Sequence, residues 1–228
     1  MTGCTVILPT RNEVKTIGSM IDEILCLSLD LDLQVLVADY KSTDGTIEKV
    51  LEYEGDDPVF LLSCSKKGKA AGIKEALQHI ETPLVIVVNA DNTYPVKFVG
   101  LMYRILELGY DGVMGPRMLK GPGSMSILHS VGNYGLSLLA SVLFFYWVFD
   151  VNTGLWGYKT EVIRKFNLNS SGFCLEADVF SNAVMAGCRV MQMPIEYQAR
   201  VEGSNAELGV WDGFKIAWFL IRRRLGWV

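Results

Sequence analysis

Asp39 and Asp91 each follow a short run of β-branched residues, at the place where a strand would end. Asp39 comes directly after residues 36–38, and Asp91 closes the stretch that begins at Val85. Runs of this kind are typical of strands that are buried on both faces of a parallel sheet. Ligands of open α/β sheets bind beyond the carboxyl ends of the strands, so the two carboxylates predict a site for a polar ligand and a hard cation.

Asn89 and Asp91 are separated by one residue, and alternate side chains of an extended backbone point the same way. Oxygen ligands of this kind suit a metal that is bound to a diphosphate. Because Asn89 is a neutral amide, the pair is a weaker metal motif than two carboxylates would be.

Three basic residues are candidates for phosphate binding. Arg117 and Arg200 each follow a predicted strand and have the fork of donors that clamps a phosphate, although an isolated arginine is more often half of a surface ion pair. His129 is a further candidate, with helix capping or packing as the alternative. Glu176 and Asp178, near a helix start, are either a catalytic base or acidic residues that favour a first helical turn.

The elements that would position these residues alternate between strand and helix through the first half of the chain. This βαβα order predicts a mostly parallel sheet with helices on both faces. The second half is expected to hold a turn-rich segment at 153–157 and three further helices. The predicted strands span 4–8, where Pro9 ends the first, then 34–38, 59–62, 84–88, 111–115 and 189–193; the predicted helices span 13–27, 46–53, 70–79, 95–108, 127–149, 176–186 and 212–224.

The stretch 136–149 contains no charged residue, yet it is too short for a comfortable transmembrane helix. A buried or interface helix is the favoured interpretation, and a membrane-facing helix is the alternative. The segment Trp211–Trp227 combines apolar positions with Arg222, Arg223 and Arg224. It is either an interfacial anchor or a helix packed on protein.

The composition narrows the class of protein. A net charge of −4 argues against a nucleic-acid binder. The five cysteines are odd in number and lack metal-binding spacing, which favours reduced thiols in a cytoplasmic protein.

In this order, the motifs resemble glycosyltransferase family 2, and within it the dolichyl-phosphate mannose or glucose synthase group. The similarity spans nearly the whole chain. The matching stretches are residues 7–13, 35–46, 67–74, 87–95, 114–117, 150–157 and 193–200.

The resemblance implies a GT-A fold in a single α/β domain over residues 1–228. Residues 1–118 would form its nucleotide-sugar-binding half and residues 119–228 its acceptor-binding half, which ends in the apolar and basic helix. It also implies roles for individual residues. Nucleotide binding would involve Pro9, Arg11, Glu13, Val37, Asp39, Asn89, Ala90, Asp91 and Arg117; Asp91 and Asn89 would hold Mg²⁺ or Mn²⁺; Asp91, Arg117 and Arg200 would be catalytic; and His129 and Arg200 would bind the acceptor phosphate.

Some positions depart from the family pattern. Asn89 replaces the first aspartate of the metal motif, and Thr93 stands where the mannose synthases have a metal-binding glutamine. Tyr40 replaces a frequent second aspartate, and Ala206 stands where a basic residue is expected. These departures bear on metal affinity and on the identity of the donor sugar.

The expected activity is inverting transfer of a hexose from a UDP- or GDP-sugar to dolichyl or polyprenyl phosphate. The expected partners are the nucleotide sugar, the lipid phosphate and the cytoplasmic face of a membrane. Assembly into a homo-oligomer is left undecided, and nucleic acid is not expected as a partner. The alternatives are a family 2 enzyme with a soluble sugar or protein acceptor, and a non-catalytic nucleotide-sugar binding protein.

Overall fold

A seven-stranded sheet forms the centre of the computed structural model, which describes residues 3–28, 30–53, 55, 58–121, 123–200 and 209–227. Ala206 therefore lies outside the described residues. The strand order is β3-β2-β1-β4-β7-β5-β8, and a separate two-stranded sheet pairs β6 with β9. The strands are β1 (Cys4–Thr10), β2 (Leu33–Asp39), β3 (Val59–Ser63), β4 (Leu84–Val88), β5 (Gly112–Met114), β6 (Leu119–Lys120), β7 (Leu155–Lys159), β8 (Val190–Gln192) and β9 (Glu196–Tyr197).

Helices cover both faces of the sheet, and each face buries its own apolar cluster. Alternate residues of one strand enter opposite clusters: Val6 and Leu8 of β1 pack on one side, and Ile7 packs on the other. The helices are α1 (Ile17–Ser28), α2 (Thr46–Leu51), α3 (Lys69–Ala76), α4 (Lys97–Glu107), α5 (Ile127–Phe144), α6 (Thr160–Ile163), α7 (Leu175–Met185) and α8 (Val210–Arg224).

The chain reverses its direction of travel across the sheet between β1 and β4, which are parallel neighbours. Strands β2 and β3 extend the sheet to one side of β1, and its later strands β4, β7, β5 and β8 lie on the other side. A reversal of this kind opens a crevice at the carboxyl ends of the two strands, where ligands of α/β proteins bind. The expected α/β fold is confirmed, and the segments after Pro9 and Val88 meet at this crevice.

The turn predicted at 153–157 is wrong, because Leu155–Lys159 forms β7. This strand is antiparallel to both of its neighbours, β4 and β5. Gly157 allows the close approach, since a Cβ there would lie 2.8 Å from Ile86 Cγ1. The two glycines in this segment suggested a turn, whereas tertiary packing uses Gly157 to fit a strand into the middle of a sheet.

Pro9 does not end the first strand, which continues to Thr10. The pairing of β1 with β4 stops at Ile7, and only the pairing with β2 continues as far as Thr10 and Asp39. Proline lacks a backbone donor, and it is tolerated in a strand where one side has no partner.

Helix α5 is shorter and far more exposed than the sequence predicted. It ends at Phe144, and Phe145 adopts a left-handed conformation with φ of 53°. Its only buried residues are Ser137, Ala140, Ser141 and Phe144. The favoured interpretation was a buried or interface helix; burial is wrong for most of α5, and an interface helix stays a prediction. By length and composition α5 is the one helix of the described residues that could cross a membrane, and 22% of that span is buried.

Candidate active site at the β1–β4 crevice

Asp91 lies at the centre of the crevice, where the carboxyl end of β4 delivers it. Its Oδ1 accepts hydrogen bonds from the Thr93 backbone nitrogen at 3.2 Å and the Thr93 hydroxyl at 2.6 Å. Its Oδ2 lies 3.0 Å from Nε of Arg200. The carboxylate is 6% exposed, so the site joins two residues that the sequence predicted to act together and adds Thr93 to them.

Glu13 shares the electrostatic environment of Asp91. Burial and, after it, the negative charge of Asp91 raise the pKa of Glu13 from 4.5 to about 7, while Arg200 and the Thr16 hydroxyl oppose the shift. The Thr16 hydroxyl also donates to the carbonyl of Ala90 at 2.7 Å, which ties the start of α1 to the end of β4. This bond fixes the segment between β1 and α1, which carries Glu13, relative to the end of β4, which carries Asp91.

Asn89 contributes an amide oxygen that has no hydrogen-bond partner among the described residues, although it is shielded from solvent. The side chain lies against Gly154, where a Cβ would come within 2.5 Å of Asn89 Nδ2. A buried polar atom without a partner is costly, and such atoms in native proteins commonly serve a ligand.

The fit of a divalent cation can be judged from these donors. Asp91 offers a carboxylate and Asn89 an unpaired oxygen, and both are ligands that Mg²⁺ and Mn²⁺ accept. Within the described ranges there is no group of three or more His, Cys, Asp or Glu side chains that could hold a metal by itself. The residues therefore fit a cation that takes its remaining ligands from a bound diphosphate and from water.

Asp39 ends β2 and is buried, and its carboxylate accepts hydrogen bonds from the backbone nitrogen and the hydroxyl of Ser42. Asp44 accepts from the backbone nitrogens of Val14 and Thr46, so it has a structural role in the loop before α2. Asn12 holds the same loop, because its side-chain oxygen accepts from the backbone nitrogen of Thr43.

The other predicted nucleotide contacts differ in accessibility. Arg11 is exposed, and its guanidinium lies 5.7 Å from the centre of the Tyr40 ring. Pro9 is half-buried at the end of β1. Val37 is fully buried in the core, and Ala90 is almost so, so only their backbone atoms are placed to meet a ligand. The binding roles of these residues stay predictions.

Arg117 is held by Asp150 in a two-pronged ion pair. The distances are 2.6 Å from Nε to Oδ2 and 2.8 Å from Nη2 to Oδ1. Arg117 Nη2 also donates to the carbonyl of Asn152 at 3.2 Å, and the guanidinium lies 5.3 Å from the centre of the Tyr197 ring. The ion pair lowers the pKa of Asp150 against the effect of burial. The phosphate role of Arg117 stays a prediction.

Two residues that support this pair, Asn133 and Asn152, were not identified as such from the sequence. Asn133 of α5 donates through Nδ2 to Asp150 Oδ1 at 2.8 Å and accepts from Asn152 Nδ2 at 3.1 Å. The motif at 150–157 was quoted for its likeness alone, and Asn133 lies in an apolar helix where no pattern marks it. Only the tertiary fold brings the two segments together.

His129 and the two acidic residues of α7 have structural partners. His129 lies in the first turn of α5, where Ser126 caps the helix and bonds the ring at Nδ1. Asp178 is fully buried and accepts from the Ser170 backbone nitrogen, so it cannot reach a substrate as a base. Glu176 is paired with Lys69 at the start of α3.

Helices α5 and α8 pack against each other, and each also exposes apolar side chains. We call these exposed apolar residues together the outer face. It consists of the exposed residues Ile127, Leu128, Val131, Tyr134, Leu138, Val142 and Phe145 from α5 and its end, with Trp211, Phe214 and Trp218 from α8.

The three arginines of α8 do not form one cluster on this surface. Arg222 and Arg224 are exposed, whereas Arg223 is buried, with Nη2 donating to Asn182 at 2.6 Å and lying 3.8 Å from Asp178. Of the three arginines, only Arg222 and Arg224 are therefore available to an interfacial anchor, since Arg223 faces the core side of the helix.

Comparison with known proteins agrees with this geometry. A sequence model described as glycosyl transferase family 2 matches residues 5–166. Glycosyltransferase AglJ of Haloferax volcanii is 31% identical over 96% of this chain and 71% of its own length. A dolichyl-phosphate hexose transferase of the same organism is 26% identical over 86% of this chain and 82% of its own length.

Among solved structures, glucosyl-3-phosphoglycerate synthase from Mycobacterium tuberculosis, in complex with Mn²⁺, UDP and glucosyl-3-phosphoglycerate, superposes with a TM-score of 0.75. The two sequences are 19% identical, over 99% of this chain and 80% of the other. At this identity the likeness establishes the fold, which is the GT-A-like α/β architecture that the sequence predicted. From its sequence motifs, its fold and the match over residues 5–166, the chain belongs to glycosyl transferase family 2.

Proposed function

We propose that the protein transfers a hexose from a nucleotide sugar to a polyprenyl phosphate, such as dolichyl phosphate, with inversion at the anomeric carbon. Residues 1–118 serve the donor and residues 119–228 serve the acceptor. The relatives named above support this choice, since one of them is named as a dolichyl-phosphate hexose transferase. The observation in the fold that carries the proposal is α5, whose polar side bonds to the Arg117–Asp150 pair and whose apolar side faces outward.

The donor is assigned to the crevice between β1 and β4. Asp39 and Glu13 receive the nucleoside, and Arg11, beside Tyr40, lies at the rim of the same edge. When a divalent cation is bound at Asp91 and Asn89, it supplies positive charge to the diphosphate leaving group. Arg200 and Arg117 add fixed positive charge, which favours departure of the nucleoside diphosphate.

A phosphate acceptor suits the acidic residues of this site. A hydroxyl acceptor must lose a proton as it attacks, whereas a phosphate is already an anion and needs alignment more than deprotonation. Glu176 is ion-paired with Lys69, and Asp178 is buried, so neither is placed as an unpaired base. Arg200 and His129 are assigned to the acceptor phosphate.

The lipid is assigned to the outer face, which lies on the membrane surface. Helix α5 has 18 residues and is about 27 Å long, slightly short of the ~30 Å hydrocarbon core. Its Ser137 and Ser141 hydroxyls accept hydrogen bonds from the backbone nitrogens of Val151 and Val148, so the helix is fastened along the domain. Tryptophans 211 and 218 are residues that favour the membrane interface. We place the protein on the cytoplasmic face, as a peripheral protein.

A panel of UDP- and GDP-sugars tests the proposal, with and without Mg²⁺ or Mn²⁺. Each donor is offered with polyprenyl phosphate, with the unphosphorylated polyprenol and with a soluble sugar. Transfer to the lipid phosphate alone supports the assignment. Transfer to the soluble sugar selects the alternative acceptor class, and donor binding without transfer to any acceptor selects a non-catalytic binding protein.

A further inference from the structure

Asp150 binds one edge of the Arg117 guanidinium, formed by Nε and Nη2. The edge that carries Nη1 is left to bind an anion. In the described part of the chain, the side-chain hydrogen bonds of Arg117 use Nε, which donates to Asp150, and Nη2, which donates to Asp150 and to the carbonyl of Asn152. The ring of Tyr197 lies 5.3 Å from the guanidinium carbon and limits its swing. The Nη1 edge is therefore held in a fixed direction, as a preorganised phosphate donor must be.

Asp150 can orient Arg117 because Asp150 is itself buried and held by several hydrogen bonds. It is 3% exposed, and its Oδ1 accepts from Asn133 at 2.8 Å and from the backbone nitrogen of Asn152 at 3.2 Å. Its Oδ2 accepts from the backbone nitrogen of Arg117 at 3.1 Å. A buried carboxylate with this many donors has one stable position, and a bidentate partner of fixed position defines the plane of the arginine.

Asn133 links this pair to the outer face. It lies on the inward side of α5, one turn before Ser137, while its neighbours Val131 and Tyr134 are exposed. Its amide both donates to Asp150 and accepts from Asn152, so it closes a ring of hydrogen bonds between α5 and the segment that follows it. A shift of α5 would be transmitted to Arg117 through this amide.

We infer that Asp150 and Asn133 are positioning residues for Arg117. Through Asp150, Asn133 fixes the position of this arginine relative to α5, the helix that faces the lipid in our proposal. This inference rests on the proposed function for the identity of the acceptor. The positioning of Arg117 itself applies to any phosphate that this arginine binds. Neither residue contacts substrate in this account, and both act through the guanidinium.

A double-mutant cycle tests the inference. Asn133→Ala is combined with Arg117→Lys, since lysine cannot make the bidentate pair. Turnover is measured with polyprenyl phosphate in vesicles, and the affinity for inorganic pyrophosphate is measured by calorimetry. Asn133→Ala should lower turnover about tenfold in the Arg117 protein, which corresponds to ~1.4 kcal/mol, and less than about twofold in the Arg117→Lys protein. Pyrophosphate affinity should follow the same pattern.

Gln192→Ala is the matched control, because Gln192 bonds Trp147 and Phe149 of the same segment without contacting Arg117 or Asp150. Its effect should be small and equal in both backgrounds. If Asn133→Ala unfolds the protein, Asn133→Ser replaces it, since serine is small and polar but too short to reach Asp150.

Equal effects of Asn133→Ala in the two backgrounds would overturn the inference and leave Asn133 with a packing role. An effect no larger than that of Gln192→Ala would do the same. A wild-type protein that fails to transfer sugar would instead contradict the proposed function, and the pyrophosphate cycle would still decide the positioning role.

Discussion

A divalent cation bound at Asp91, as we propose, would compete with Arg200 for the same carboxylate oxygen. Arg200 Nε lies 3.0 Å from Oδ2, and the other carboxylate oxygen is engaged by Thr93. Arg200→Gln should therefore tighten the binding of Mn²⁺ to the protein without nucleotide, by several-fold, because a competing positive charge is removed. Electron paramagnetic resonance of free Mn²⁺ measures this affinity.

Lys97→Gln is the control for the Arg200 variant. It removes a cation from the exposed pair with Glu196 and should leave Mn²⁺ affinity unchanged. Unchanged or weaker Mn²⁺ binding by Arg200→Gln would show that the arginine does not compete at Asp91.

Glu13 should make the stability of the protein fall as the pH rises. Its pKa is about 7 in the folded protein and 4.5 ordinarily. Below pH 4.5 Glu13 is protonated in both the folded and the unfolded protein, and its contribution to the free energy of unfolding is fully present. Between the two values the unfolded chain ionises first, so the free energy of unfolding decreases until the pH exceeds about 7.

Glu13→Gln should lack this decrease, because glutamine does not ionise. Urea unfolding of both proteins from pH 4.5 to 8 measures the difference, which should grow in favour of the variant across the window given by the two pKa values. Parallel stability curves would exclude Glu13 as the titrating group.

Residue types at strand ends predicted much of the site, but not the partners of its side chains. Asp91 and Arg200 were assigned to one site from the sequence, and the structure places them in contact. Asp150 and Asn133 were not identified, since the partner of a buried arginine is decided by tertiary contacts. Asp178 was left open as a base, and its complete burial depended on how α7 packs.

Among the elements, α8 has one buried arginine, Arg223, and two exposed ones, Arg222 and Arg224. Arg223→Ala should destabilise the protein by about 3 kcal/mol, because it leaves the buried Asp178 without its cation. The double change Arg222→Gln and Arg224→Gln should alter stability by less than about 0.5 kcal/mol, since both side chains are exposed. Chemical denaturation measures both effects, and equal losses would contradict this division.

The outer face of α5 should bind lipid. Replacing Val131, Leu138 and Val142 with glutamate places three charges on the exposed apolar stripe. Flotation with anionic liposomes should fall sharply, because charge opposes burial in the interface. Calorimetric binding of the nucleotide sugar should be retained, since the donor crevice lies at the ends of β1 and β4. Undiminished flotation would assign the outer face to a protein partner instead.

The sequence predicted elements best where one signal dominated. The five β-branched or apolar residues of β4 were assigned without error. β7 was missed because Gly154, just before the strand, and Gly157, within it, resemble a turn until their neighbours are known. The apolar composition of α5 suggested burial, whereas its inward side is the small and polar one, with Asn133, Ser137 and Ser141. Composition alone does not distinguish a helix that faces a core from one that faces lipid.

For the whole molecule, the donor crevice and the outer face are joined by the hydrogen-bonded segment from Val148 to Asn152. Asp150, in that segment, holds Arg117, and α5 is fastened to the same segment through Asn133, Ser137 and Ser141. This arrangement supports the proposal that a soluble donor and a membrane-borne acceptor meet at one set of arginines. We claim that the hexose passes from the aqueous phase to the membrane phase.

Partition of a labelled sugar between water and organic solvent tests that claim most directly. The wild-type protein is incubated with a radiolabelled nucleotide hexose, a divalent cation and vesicles containing polyprenyl phosphate. If the protein transfers the hexose to the lipid phosphate, label should move into the organic phase, and only when the lipid carries its phosphate. Label that stays in water with every UDP- and GDP-hexose, or that enters lipid equally well without the phosphate, would contradict it.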